Sequence, residues 1–346
     1  MSLDPPASSI PVIDFAPFYS GRAEDTAAVG KAVYEAFRDV GFAYISNHCI
    51  PEEAVKEAFE WNAKFFDLPQ TVKEKAPHPP EGWWHRGYSG IGREKVVQMV
   101  YDEASIGDLR KVPDFKESFE IGRDYNATRV RNIWLPEDDL PGFRAFFVKF
   151  FELGYQMELD LLRAIAIGMG LDEKFFWQYH TNKDNQIRLL HYPAVEESLL
   201  RDGKIERIAS HTDFGTLTML FQDSVGGLEV EDIYEKGKFN AAPYIPGTIV
   251  VNIGDFLQRW SNDQLKSTLH RVRAPPLVDN QEAATPDNGA TKQRLTRPRR
   301  SIPYFVTADH EKVIDCLPGC FGPDNPKKYE PINSGEYITR RLNATY

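Results

Sequence analysis

"SHTDFGTLTML", residues 210–220, decides how the second half of this chain is read. Its apolar and β-branched residues suggest a strand, yet an imidazole and a carboxylate sit two positions apart in it. Residues i and i+2 of a strand share a face. His211 and Asp213 are therefore expected to project together, with Thr212 on the opposite side. Both groups bind metals, and both are costly to bury without a partner. So short a motif also recurs by chance, and a satisfied His–Asp hydrogen bond in an ordinary strand would account for it. A third ligand elsewhere in the chain is what separates the two readings.

The stretch lies in a region of distinct rhythm. From about residue 184, short segments such as "IRLLHYPAV", "LTMLFQ", "GGLEVED", "GTIVVNIGDFLQRW", "TLHRVRA" and "RSIPYFV" are separated by Gly, Pro, Asn and Asp. That is the pattern of an all-β sandwich or barrel. Residues 279–298, "DNQEAATPDNGATKQRLTRP", interrupt it as a long, polar, mobile loop. Upstream, "IPVIDF" (10–15) and "FAYIS" (42–46) read as strands, and 25–39 and 52–66 as helices, the first stopped by Gly41. Residues 78–95 read as loop, and about 142–169 as the longest helix, apolar enough that most of it should be buried. The pattern predicts a single α+β unit, a β-rich core flanked by N-terminal helices.

Composition narrows the function. The net charge of −10 argues against nucleic acid or an anionic membrane surface as the main partner. The aromatic share of 12% suits a large core or an aromatic-lined pocket for a small molecule. Cys49, Cys316 and Cys320 are too few and too scattered for a disulfide framework, and free thiols are expected. The first residues lack the features of a signal peptide, and no apolar run reaches membrane-spanning length, so a cytoplasmic protein is expected.

The third ligand candidate is His270, in the apolar, strand-like setting of "NDQLKSTLHRVRAPP" (262–276). Two His and one carboxylate drawn from two strands form the facial triad of non-haem Fe(II) oxygenases, which leaves open positions on the metal. A closed structural zinc site would want four protein ligands, often Cys. Further on, "RRSIPYFV" (299–306) places Arg299 and Ser301 on one strand face, with Arg300 pointing away. A guanidinium fork beside a hydroxyl suits a carboxylate.

"HTDFGTLTML", "NIGDFLQRWSNDQLKSTLHRV" and "RRSIPYFV", with the N-terminal "IPVIDF", "GFAYISNHCI" and "FFDLP", resemble the 2-oxoglutarate/Fe(II) oxygenases of the isopenicillin N synthase-like group. The resemblance spans most of the chain. Cys49 departs from it, standing where the family usually has Gly. It implies a double-stranded β-helix, or jelly-roll, core and one oxygenase domain over 1–346. That domain comprises an N-terminal dioxygenase region (10–125), a long buried helix region (126–182), the Fe(II)/2-oxoglutarate core (183–310) and a C-terminal segment (311–346). It implies that His211, Asp213 and His270 are catalytic iron ligands, and that Arg299, Ser301 and Tyr192 bind 2-oxoglutarate. The implied cofactors are Fe(II), 2-oxoglutarate and O2. The implied chemistry is oxidation of a C–H bond coupled to decarboxylation of 2-oxoglutarate to succinate and CO2.

Within that family, "RGYSGIGREKV" (86–96), "KESFEIGRD" (116–124), "DNQIRLLHYPAV" (184–195) and "NSGEYITRRLNATY" (333–346) resemble fungal thymine 7-hydroxylase-like and natural-product oxygenases. This implies substrate contacts from Asn185, Arg188, Phe214 and Phe305. Phe214 stands where the thymine enzymes carry Tyr, which counts against thymine itself. The expected substrate is a small planar organic molecule of fungal secondary metabolism, hydroxylated or rearranged, as in ring expansion. A pyrimidine methyl hydroxylase and a non-catalytic metal-binding jelly roll are the alternatives. Core packing competes as a reading of Phe214 and Phe305, and structural hydrogen bonds as a reading of Asn185 and Arg188. Asn252 either faces the metal or shapes the turn before Gly254–Asp255. No nucleic acid, membrane or protein partner is expected.

Overall fold

Alternating burial along the strands divides the interior into two layers. The computed structural model describes residues 10–81, 83–94, 112, 114–124, 130–274 and 294–343. The larger sheet has eight strands, in the spatial order β1 (Val12–Asp14), β2 (Phe42–Ser46), β10 (Thr248–Ile253), β7 (Leu217–Gln222), β12 (Arg299–Val306), β5 (Gln186–Tyr192), β4 (Glu117–Gly122) and β3 (Gly87–Ser89). The smaller sheet has four, in the order β6 (Ile208–His211), β11 (His270–Val272), β8 (Leu228–Glu231) and β9 (Phe239–Ala241). A two-stranded ladder, β13 (Val313–Ile314) with β14 (Ile332–Asn333), follows. Every pairing in the two main sheets is antiparallel except β1 with β2.

One face of the large sheet carries Ile187, Leu189, Met219, Phe221, Val251 and Tyr304 into the main hydrophobic core. Helices cover that face: α1 (Ala23–Asp39), α2 (Glu52–Phe66), the short α3 (Gln70–Lys73) and the long α4 (Phe143–Gly168). Strand residues of opposite parity, with Tyr44, Leu190, Tyr192 and Val250 among them, face the small sheet and meet Ile208, Leu228, Val230 and Val272. A period of two thus assigns each strand residue to the helix-facing core or to the space between the sheets. Three further helices are α5 (Glu197–Arg201), α6 (Asp255–Trp260) and α7 (Ser334–Asn343).

Helix α1 has acidic Glu24 and Asp25 in its first turn and Arg38 in its last, matching the helix dipole. It ends where Gly41 turns to φ +80°; a Cβ there would lie 2.3 Å from the Lys266 carbonyl oxygen. Helices α1 and α4 cross at glycines: a Cβ on Gly168 would come within 2.2 Å of the Gly30 carbonyl oxygen.

The strands and helices expected at 10–15, 25–39, 42–46, 52–66 and 142–169 are present, with ends shifted by a few residues at most. Three expectations need correction. "SHTDFGTLTML" is not one strand: β6 ends at His211 and β7 starts at Leu217, so the chain crosses between the sheets there. The 78–95 region is not all loop, because Gly87–Ser89 pairs with β4. Besides the expected β1 and β2, the N-terminal half also supplies β3 and β4 to the large sheet. Of the loop expected at 279–298, residues 279–293 lie outside the described residues. All three cysteines are free. Among the described residues no helix is long and apolar enough to cross a membrane.

Candidate active site

His211 and His270 are cross-strand neighbours, the last residue of β6 opposite the first of β11. Their ring centroids are 4.3 Å apart. Asp213 lies two residues past the end of β6, on the crossing to the large sheet, and reaches back toward both rings. Its Oδ1 is 3.8 Å from His211 Nε2 and 3.7 Å from His270 Nε2. One donor atom from each of the three residues lies within 4.8 Å of the others.

The surroundings hold these atoms ready for a cation. His211 Nδ1 is 2.8 Å from the Ala209 carbonyl and His270 Nδ1 is 3.3 Å from that of Thr268. An Nδ1–H donated to a carbonyl fixes the tautomer whose Nε2 lone pair points at the shared centre. Asn252 Nδ2 donates to Asp213 Oδ2 at 2.8 Å, leaving Oδ1 turned toward the imidazoles. Burial and the neighbouring His270 push the His211 imidazole down to about 3, so it is neutral at physiological pH. Burial alone would raise the Asp213 carboxyl; the two imidazoles and the hydrogen bonds from Thr218 and Asn252 hold it below its usual value. Among the described residues no Lys or Arg pairs with Asp213. A charged carboxylate facing two imidazole lone pairs fits a divalent cation with open coordination positions.

The crossing between the sheets is braced from α6. Thr212 Oγ1 donates to Asp255 Oδ2 at 2.9 Å, and the Asp255 amide donates to the Asp213 carbonyl at 2.8 Å. Gly254 packs so closely that a Cβ would fall 2.2 Å from the Gly215 carbonyl oxygen. Asp255 also meets Arg341 of α7 at 2.8 Å, and that guanidinium lies 4.3 Å from the centroid of the Phe214 ring. The "GD" pair therefore positions the candidate donor Asp213 through its backbone and side chain.

Arg299 and Ser301 share the face between the sheets, and Arg299 Nη1 donates to Ser301 Oγ at 3.0 Å. Arg299 is 1% exposed, and its Nε and Nη2 are buried with no hydrogen-bond partner. Its guanidinium lies 5.0 Å from the Tyr192 ring centroid, beside the residue paired with it across β5 and β12. A buried cation with unused donors fits an incoming carboxylate. Arg300 points away, toward Asp67 at 3.3 Å.

A cavity of about 140 Å³ opens beside His211 and Asp213, and Asn185, Arg188, Phe214 and Phe305 all line it. One water needs roughly 10–15 Å³ by this measure, so a ring-sized ligand fits. Arg188 is already engaged within the wall. Its Nε lies 2.8 Å from Glu120, its Nη1 2.9 Å from Glu94 and its Nη2 2.9 Å from His85 Nδ1. Lys116 closes the other side of Glu94. The Asn185 amide donates to Glu158 and to the Tyr304 hydroxyl and accepts from the Thr307 amide. Sequence reasoning did not single out Glu94, Glu120, His85 or Arg341, and it named Asp255 only as part of a turn.

Residues 183–307 match the 2OG-Fe(II) oxygenase superfamily, and residues 10–137 match the N-terminal region described as non-haem dioxygenase in morphine synthesis. The chain is 39% identical over 336 residues to the proline hydroxylase buaE of Petromyces alliaceus, covering 96% of this chain and 98% of that protein. It is 34% identical over 342 residues to the 2-oxoglutarate-dependent dioxygenase gloF of Glarea lozoyensis, covering 98% and 99%. Among solved structures, full-length thymine 7-hydroxylase of Neurospora crassa, in complex with 2-oxoglutarate and thymine, matches with a TM-score of 0.84 and 41% identity over 97% of each chain. The double-stranded β-helix fold, the extent of these matches and the donor set agree: the chain belongs to the 2OG-Fe(II) oxygenase superfamily, enzymes that use Fe(II), 2-oxoglutarate and O2.

Proposed function

We propose that the chain, working as one catalytic unit, oxidises a C–H bond of a small planar organic substrate seated in the cavity beside His211 and Asp213. His211, Asp213 and His270 hold Fe(II), and Arg299, Ser301 and Tyr192 hold the distal carboxylate of 2-oxoglutarate. Bound there, the metal supplies oxidation of the substrate coupled to decarboxylation of the cosubstrate. The residues themselves bind, orient and exclude water. Asn252 keeps the Asp213 carboxylate aimed at the imidazoles. Phe214 and Phe305 offer flat apolar walls on which a ring can lie. Asn185 and the Arg188–Glu94–Glu120 cluster give the wall its fixed shape.

The observation that carries this reading is that the three donor atoms converge, and that two of the residues bearing them, His211 and Asp213, line a cavity with aromatic walls. The test is succinate formation from 2-oxoglutarate by the Fe(II)-loaded protein against a panel of methylated aromatic polyketides, pyrimidines and amino acids. Substrate-dependent turnover of a planar member is the expected result. Turnover of none with intact iron binding would sink the reading.

A second reading has its own support. The cavity wall also carries Arg123, paired with Asp184 at 3.5 Å, and Lys183, paired with Glu152 at 2.6 Å, charges of both signs at the edge of the cavity, and one relative is named a proline hydroxylase. Hydroxylation of a free or peptide-bound cyclic amino acid would then be the activity, and proline in the same panel decides between them. Thymine remains the third candidate, weakened by Phe214 in place of Tyr.

A further inference from the structure

Arg207 sits just before β6, four residues ahead of His211, and is 1% exposed. Its Nη2 donates to the Arg297 carbonyl at 2.7 Å. Its Nε and Nη1 are buried with no hydrogen-bond partner. Among the described residues it has no ion-pair partner within 4.0 Å, and neither has Arg299. The two guanidiniums lie against the same ring, 5.8 Å and 5.0 Å from the centroid of Tyr192. Burial and the nearby Arg299 push Arg207 down to about 10, so it remains a cation at neutral pH.

Two buried like charges that share one aromatic ring repel each other. Each also leaves two donor atoms unsatisfied. Both penalties are severe in a water-poor interior. An anion entering between the sheets relieves them together. A single guanidinium and the Ser301 hydroxyl suffice for one carboxylate, so the second cation calls for an explanation. Stabilising the fold is a poor one, because Arg207 makes only one hydrogen bond and the carboxylate that acts on it, Asp223, is beyond ion-pair distance.

We propose that Arg207 is a second cation of the pocket for the distal carboxylate of 2-oxoglutarate, and that it sets the preference for a dicarboxylic over a monocarboxylic 2-oxoacid. The proposal rests on the assignment of Arg299 and Ser301 to that carboxylate. Arg207 acts on the end of the cosubstrate remote from the metal. Its effect therefore falls on cosubstrate affinity and not on the oxidation step.

The test is calorimetric binding to the anaerobic Mn(II)-loaded protein, which needs no turnover. Two ligands are compared: 2-oxoglutarate and 2-oxopentanoate, which keeps the five carbons and lacks the distal carboxylate. Arg207→Gln is expected to weaken 2-oxoglutarate about tenfold or more, as for loss of a charge-assisted contact, while 2-oxopentanoate changes less than twofold. Arg207→Lys, which keeps the charge but not the fork, is expected to fall between. Equal weakening of both ligands would mark Arg207 as merely structural and overturn the proposal, as would no weakening of either. Should Arg207→Gln fail to fold, the same ratio measured on Arg207→Lys decides, and an unchanged ratio overturns the proposal. Failure of the unsubstituted protein to bind 2-oxoglutarate would instead overturn the underlying assignment of the site.

Discussion

At the scale of single residues, the candidate metal site depends on groups outside its donor set. Asn252 controls which oxygen of Asp213 faces the imidazoles. Asn252→Ala leaves the carboxylate free to rotate, and removal of such a supporting hydrogen bond typically costs 10–100-fold in metal affinity or activity. Fe(II) titration of the variant is expected to show a loss in about that range, with the melting temperature of the metal-free protein changed little. Arg188 belongs to a different class of residue. It neutralises Glu94 and Glu120, both almost fully buried. Arg188→Met leaves Glu94 its pair with Lys116 but takes away the salt-bridge partner of Glu120, and leaving a buried carboxylate uncompensated costs about 3–5 kcal/mol. Denaturant melts are expected to show a loss of that order, whatever the substrate. The three metal-binding candidates were legible at this scale because a third ligand candidate, His270, and the motifs around it reinforced a pair that alone recurs by chance, and the structure brings their donor atoms together. The partners of Arg188 were not. Glu94, Glu120 and His85 come from separate segments, and nothing in their local sequence says that they meet.

Among elements, the tightest constraint is the crossing of α1 and α4. Gly168 comes so close to the Gly30 carbonyl that even a methyl group would overlap it. Gly168→Ala must push the helices apart, at about 1–3 kcal/mol for overpacking a well-filled interior. Thermal denaturation is expected to register this, while 2-oxoglutarate affinity stays the same, because the crossing lies on the opposite side of the large sheet from the site. Most elements could be read from apolar periodicity, and β2 and α2 have the expected limits. The strand-like reading of 210–220 failed for a physical reason. Both halves of the stretch have strand character, and only the long-range pairing of His211 with His270 and of Leu217 with Ile253 and Val306 reveals that they belong to different sheets. The sheet order and the contribution of β1 to β4 were hidden for the same reason: pairing between distant segments leaves no local mark.

For the whole molecule, acid should be destabilising from two directions. Burial holds the His85 imidazole well below its usual value, and burial lowers His48 and His78 as well. The unfolded chain takes up protons at these positions near pH 6.5 and the folded chain does not, so stability falls as pH drops below that value. Glu117 moves the same way. His191, Lys73 and Tyr88 hold its carboxyl below the usual range against the effect of burial, and that contribution is lost as the carboxyl protonates. Urea unfolding of the metal-free protein is expected to show lower stability at about pH 5.5 than at about pH 7.5, and His85→Gln should reduce the difference.

The two-residue alternation along β12 has one more consequence. Arg299, Ser301 and Phe305 look into the space between the sheets, while Ile302, Tyr304 and Val306 look toward the helices. Chemistry and solidity are thus written on interleaved letters of one word. A lineage can respell the odd letters to greet a new molecule without disturbing the even ones that keep the scaffold upright. Inserting a single letter would exchange the two messages and garble both.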